Sequence, residues 1–183
     1  MSEQQHWTTL SSELKYKNPW ISVVEDKVKT SWGTEKTYGV VSIVSGVSVL
    51  PMDAEGFVYL VKLYRYGVKK MGIETAGGTV DEGEDPFTAA KRELKEELGI
   101  EPKEWIPLGH LNPLTGVISH RENLFLARGF IPPKEIPVDD DEHMEMIRIP
   151  FHEALDLVMN SEITHGPSAV LILKAAQLGV QLG

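Results

Sequence analysis

The sequence predicts a mixed α/β domain with its sheets lying between helices. Three observations predict this. Runs rich in β-branched residues, separated by turn signals, fill much of the chain. One segment of helical periodicity, bounded by an N-terminal Asp-Pro and a C-terminal Gly, interrupts them at 86–98. Two further helical segments close the chain. At 183 residues the length suits one domain with a small appendage.

Residues 1–18 are polar and read as a flexible lead-in, at least at their start. From Trp20 to Met52 the chain reads as β: Val23, Val24 and Val28 mark one strand, "SWGT" a turn, and Thr37 to Leu50 one long run. "MDAEG" is a second turn, and "FVYLVKLYRY" another strand. A break follows, holding Gly67, Gly72, Gly77 and Gly78. Asp85 and Pro86 then start a helix as N-cap and first helical residue. Phe87, Ala90, Leu94 and Leu98 face its core side, and Gly99 stops it. "WIPLGHL" and "ENLFLARGF" read as strands around the loop "NPLTGVISHR". "IPPKEIPVDDDEH" reads as an acidic loop and "MEMIRIP" as a short strand, with "FHEALDLVMN" and "SAVLILKAAQL" as the closing helices.

Composition bounds the function. Hydrophobic residues make up 42%, enough for a packed core. With no cysteine there is no disulfide, thiolate nucleophile or Cys-ligated metal. The N-terminus lacks the basic and apolar regions of a secretory signal, and no apolar run is long enough to span a bilayer. The expected location is therefore the cytoplasm. A net charge of −9, without a basic stripe interleaved with aromatics, argues against nucleic acid and anionic membranes as partners. An acidic protein acting on phosphate esters would need bound cations to meet them.

The helix at 86–98 offers a place for such cations. Glu93 and Glu97 are i and i+4 and share a face; Glu96 sits at its edge, within reach of Arg92. Like charges at this spacing repel, and a divalent cation relieves that. "KRELKEEL" also suits a solvated, salt-bridged face, and periodicity alone leaves both readings open. His110, His120, His143 and His165 show no metal-ligand spacing and receive no role.

Residues 78–100 resemble the Nudix box. Gly78, Glu84, Arg92, Glu93, Leu94, Glu96, Glu97, Gly99 and Ile100 occupy every position of its pattern. The resemblance implies an α/β/α sandwich of mixed sheets with the box as loop–helix–loop, and Mg²⁺-dependent hydrolysis, with Mn²⁺ able to substitute, of a nucleoside diphosphate linked to another group. It implies Glu93 and Glu97 as metal ligands, Glu96 as a ligand or a partner of one, and the Gly77 carbonyl as a further ligand. Arg92 would orient a box glutamate, and Glu84 would hold the loop.

Outside the box, "NPWISVVEDKV", "FVYLVKLYRY", "IETAGGTVDEGED" and "LNPLTGVISHRENLFLARGF" resemble the ADP-ribose pyrophosphatase and nucleoside diphosphate sugar hydrolase branch, over residues 18–178. Arg65 and Glu74 stand where that branch has substrate contacts. Arg65 suits a bidentate phosphate contact or a sheet-edge ion pair; Glu74 suits a ribose hydroxyl, an adenine amine or a lysine. Leu63, Met71 and Thr75-Ala76 depart from the branch pattern, which leaves ADP-ribose and GDP-mannose both open as substrates. Pro113 stands in a loop the branch also marks with proline. In related enzymes a Glu on a late acidic loop acts as general base or as a metal ligand; Glu142 is the first choice here, Glu145 the second, with a box glutamate as the rival base and a solvated loop as the plain alternative. By resemblance, residues 1–35 form an N-terminal β extension that contacts a homodimer partner, and 36–183 the hydrolase domain. The alternatives are hydrolysis of NADH or dinucleoside polyphosphates, or a nucleotide sensor without catalysis.

Overall fold

The computed structural model describes residues 6–133 and 144–179. It divides into two compact units, Met1–Val44 with Asn112–Arg121, and Ser45–Leu111 with Glu122–Gly183.

The first unit is a sheet in the order β1-β2-β3-β9, formed by β1 (Trp7–Lys17), β2 (Ile21–Thr30), β3 (Glu35–Ile43) and the short β9 (Ile118–Ser119). The first three strands form an antiparallel meander, and β9 joins β3 in parallel. The expected lead-in is thus a strand from Trp7 onward. Its residues past Trp7 are all exposed, so no apolar alternation betrayed it. What orders it is the hydrogen-bonded ladder to β2, interrupted by two irregularities in register. The Tyr38 hydroxyl donates to the Gly116 carbonyl, tying the inserted loop to β3.

In the second unit two sheets lie between helices. One, in the order β7-β4-β10-β8, contains β4 (Gly46–Pro51), β7 (Ala76–Thr79), β8 (Glu104–Leu111) and β10 (Glu122–Arg128). The other, β11-β5-β6, contains β5 (Phe57–Arg65), β6 (Lys70–Glu74) and β11 (Glu145–Pro150). The pairing of β4 with β10 is parallel and the rest antiparallel, so the first of these sheets is mixed. The helices are α1 (Pro86–Leu98), α2 (Phe151–Met159) and α3 (Gly166–Gln177).

Strand pleat builds the sandwich. Val47 and Val49 of β4, Tyr59, Val61 and Leu63 of β5, and Phe125 and Ala127 of β10 pack with Ala90, Leu94 and Leu98 of α1. The alternate residues Leu50, Val58, Leu60, Leu124 and Leu126 pack with Phe151 and Ala154 of α2 and Leu171 and Ile172 of α3. Leu94 and Leu98 are fully buried; truncating either to Ala costs about 2–5 kcal/mol.

Two expectations need correction. The run Thr37 to Leu50 is two strands, not one, because the chain leaves the first sheet after Ile43 and enters another at Gly46. The glycine-containing break holds β6 and β7, whose ladders to β5 and β4 supply what local propensity does not. The central helix forms where expected, with Ala90, Leu94 and Leu98 buried, but Phe87 at its start is exposed and packs against the rings of Trp105 and Phe125. Asp85 Oδ1 accepts from the backbone N–H of Phe87 and Thr88, and Gly99 closes the helix in the left-handed region at φ 64°.

Candidate active site

The polar face of α1 is organised by one guanidinium. Arg92 donates to both oxygens of Glu84, at 3.2 and 3.0 Å, to Glu93 Oε1 at 2.8 Å and to Glu96 Oε2 at 3.2 Å. It also donates to the Thr79 carbonyl at 3.0 Å. The backbone N–H of Asp81 adds a bond to Glu84 Oε2 at 3.1 Å. Glu84 thereby fixes the loop between β7 and α1, and Arg92 holds its carboxyl below the usual carboxylate range.

Glu93 behaves oppositely. Burial pushes its carboxyl up, and Arg92 offsets that only in part. Its carboxylate presses on the backbone of Gly78, where a Cβ would overlap all three carboxyl atoms. On the next turn of α1, Glu97 Oε2 accepts the backbone N–H of Gly77 at 2.9 Å. At Gly77 the backbone lies against the Val47 carbonyl, which a side chain would strike. The two glycines therefore let β7 run directly beneath the helix carboxylates.

These groups line a cleft of about 350 Å³ with Arg65, Gly77, Gly78, Thr79, Glu93, Glu96, Glu97 and Met144. Its chemistry is mixed in sign: carboxylates along α1 and one guanidinium from the end of β5. Arg65 Nε and Nη2 donate to the two oxygens of Glu74 at 3.0 and 2.8 Å, and Glu74 is buried. So the two expected substrate contacts lie together, paired with each other, and Arg65 is the one that reaches the cleft.

Glu145 lies elsewhere. It sits opposite Lys62 in the β11–β5 ladder, and its carboxylate is 3.5 Å from Lys62 Nζ. Lys62 alternates with the α1-facing Val61 and Leu63, and Glu145 with Met146, which packs on the α1 side. Strand pleat thus directs Glu145 to the other face of the sheet. Glu142 is outside the described residues. Thr79 and Met144 line the cleft without having been singled out in the sequence; Thr79 directly follows the glycine pair, whereas nothing marks Met144.

The donor set suits a hard divalent cation, since it consists of carboxylates, with Glu93 held at a cost that a cation would relieve. Among the described residues no three histidine or acidic side chains already converge on one point.

Comparison with known proteins decides the family. Residues 43–167 match the NUDIX domain. The chain is a Nudix protein. Residues 7–41 match a second family, the nucleoside diphosphate sugar hydrolase N-terminal domain. Among curated relatives, the ADP-ribose pyrophosphatase of Bacillus subtilis (strain 168) is 26% identical, covering 90% of this chain and 89% of that one. The ADP-ribose pyrophosphatase of Mycobacterium tuberculosis is 28% identical, covering 88% and 79%. A crystal structure of an ADP compounds hydrolase superposes with a TM-score of 0.84 at 21% identity, covering 98% of this chain and 97% of the other; it shares the Nudix fold. The protein is accordingly a Nudix hydrolase, of a family that generally uses divalent metal ions. Among the described residues no helix is long and apolar enough to cross a membrane.

Proposed function

We propose that this protein hydrolyses the pyrophosphate bond of nucleoside diphosphate sugars, of the ADP-ribose or GDP-mannose type, giving a nucleoside monophosphate and a sugar phosphate. The observation that carries the reading is the single cleft in which Glu93, Glu96 and Glu97 of α1 face the guanidinium of Arg65. Anionic side chains alone would repel a pyrophosphate, and a guanidinium alone would bind without activating water. The ADP-ribose pyrophosphatases among the relatives support the substrate class.

In this reading Glu93, Glu97 and the Gly77 carbonyl would hold Mg²⁺, with Glu96 as a further ligand or a partner of one. When bound there, the cation would supply charge neutralisation on the pyrophosphate and a lowered pKa for the attacking water. Arg92 locks the carboxylates in orientation by binding Glu93, Glu96 and Glu84 at once. Arg65 orients a phosphate, held at its own angle by Glu74. Glu142 takes the proton from water; a box glutamate is the rival base.

The N-terminal extension, residues 1–35, is proposed to contact a second copy of the chain, supported by the exposure of Leu10, Leu14, Tyr16, Trp20 and Trp32. Elution at the mass of one chain in sizing chromatography would remove that proposal.

A panel of ADP-ribose, GDP-mannose, UDP-glucose, NADH and a diadenosine polyphosphate, at pH 8 with Mg²⁺, tests the function. Cleavage of a nucleotide sugar to monophosphate and sugar phosphate is expected, and loss on chelation. Preference for NADH or the polyphosphate would move the substrate class, and nucleotide binding without any cleavage would make the protein a sensor.

A further inference from the structure

Strands β6 and β7 belong to different sheets and meet at Thr75. Thr75 is buried, and its backbone N–H donates not to a strand but to Ser168 Oγ of α3, at 2.8 Å. The Thr75 hydroxyl lies 3.0 Å from the same oxygen, and His165 Nδ1 lies 2.8 Å from it. Ser168 has no solvent exposure. A hydroxyl has one proton and two lone pairs, so these three partners saturate it: the Thr75 N–H donates to it, and of the Thr75 hydroxyl and His165 Nδ1 it donates to one and accepts from the other.

His165 immediately precedes α3, yet its side chain caps no backbone N–H there. Its Nδ1 instead stands 3.5 Å from Glu74 Oε2. Burial holds the imidazole below its ordinary pKa; the Glu74 and Glu122 carboxylates oppose that, and Arg65 adds to it. A continuous set of contacts therefore runs from the start of α3, through Thr75 and Glu74, to the guanidinium in the cleft.

We propose that His165 and Ser168 are positioning residues that act through Arg65. Ser168 fixes the backbone beside Glu74 and His165 packs against its carboxylate, so that Glu74 presents both oxygens to Arg65 and the guanidinium stands where a substrate phosphate docks. The inference rests on the nucleotide-hydrolase reading of the cleft.

The test is a mutant cycle read on two quantities, the Kd for ADP by calorimetry and the kinetics of ADP-ribose hydrolysis. His165→Ala and Ser168→Ala should each weaken ADP and raise KM about tenfold, with kcat within about threefold of wild type. His165→Asn, which keeps a hydrogen-bonding group near the Nδ1 position, should recover most of the loss. In an Arg65→Ala background, His165→Ala should cost nothing further, because the residue through which it acts is gone. A penalty as large in that background as in wild type, or unchanged affinity in Ser168→Ala, would overturn the inference. Should His165→Ala not fold, Ser168→Ala and His165→Asn carry the same cycle. A wild type that hydrolyses nucleotide sugars but gives an additive cycle sinks this inference alone. One that binds ADP yet cleaves nothing sinks the functional reading, and leaves the cycle to be judged on ADP binding.

Discussion

The carboxylate of Glu93 rests on the Cα of Gly78 so closely that no Cβ fits between them. This contact joins the β7 strand to the helix that carries the acidic row. It explains why a glycine precedes an acidic helix: the strand must pass where a side chain would otherwise stand.

Gly78→Ala separates activity from folding. Gly78 is not among the positive-φ glycines, so alanine suits its backbone, and the atoms nearest the added methyl are all in the Glu93 side chain. Turnover should fall at least about a hundredfold, with a stability cost of about 1–3 kcal/mol. Circular dichroism and a kinetic assay check this; a fully active Gly78→Ala protein would show that Glu93 need not sit where it does. Gly77→Ala differs, because there the collision is with the Val47 backbone, and loss of folded protein is the expected result.

Acid stability should depend on Asp53. Its Oδ2 accepts from Arg148 at 3.0 and 2.7 Å and from the Tyr59 hydroxyl at 3.0 Å, while Oδ1 accepts from the backbone of Glu55 and Phe57. Burial raises its pKa, but the Phe57 N–H, Arg148 and Tyr59 outweigh that and hold it below the ordinary value. A depressed carboxyl stabilises the fold above the unfolded-state pKa, and the contribution is lost as pH falls through the folded-state value. Asp53→Asn should therefore lower Tm at pH 7 by about 4–8 °C, equivalent to about 2 kcal/mol. The gap from wild type should close in acid, below the ordinary aspartate pKa. Thermal melts across pH measure this, and a gap constant with pH would contradict it.

Local signals made much of this legible. Asp85, Pro86 and Gly99 bounded α1 correctly because caps act within a turn, and the i, i+4 spacing put Glu93 and Glu97 on one face because helix geometry is fixed. Nonlocal pairing was not legible. The strands β6 and β7 were hidden by their glycines, and β1 by its mostly polar sequence, since each is ordered by a ladder to a partner. Glu145 was ambiguous because a one-residue shift in a strand changes the face. Nothing in the sequence joins Glu74 to His165, ninety-one positions apart; only the packing of α3 against the sheet brings them together.

The central claim is that the α1 carboxylates are the hydrolytic centre. The most direct measurement is the turnover of ADP-ribose with Mg²⁺ by Glu93→Gln and Glu97→Gln, alongside their melting temperatures. Each variant should stay folded and lose at least about a hundredfold in kcat. Near-wild-type turnover in either folded variant would contradict the account.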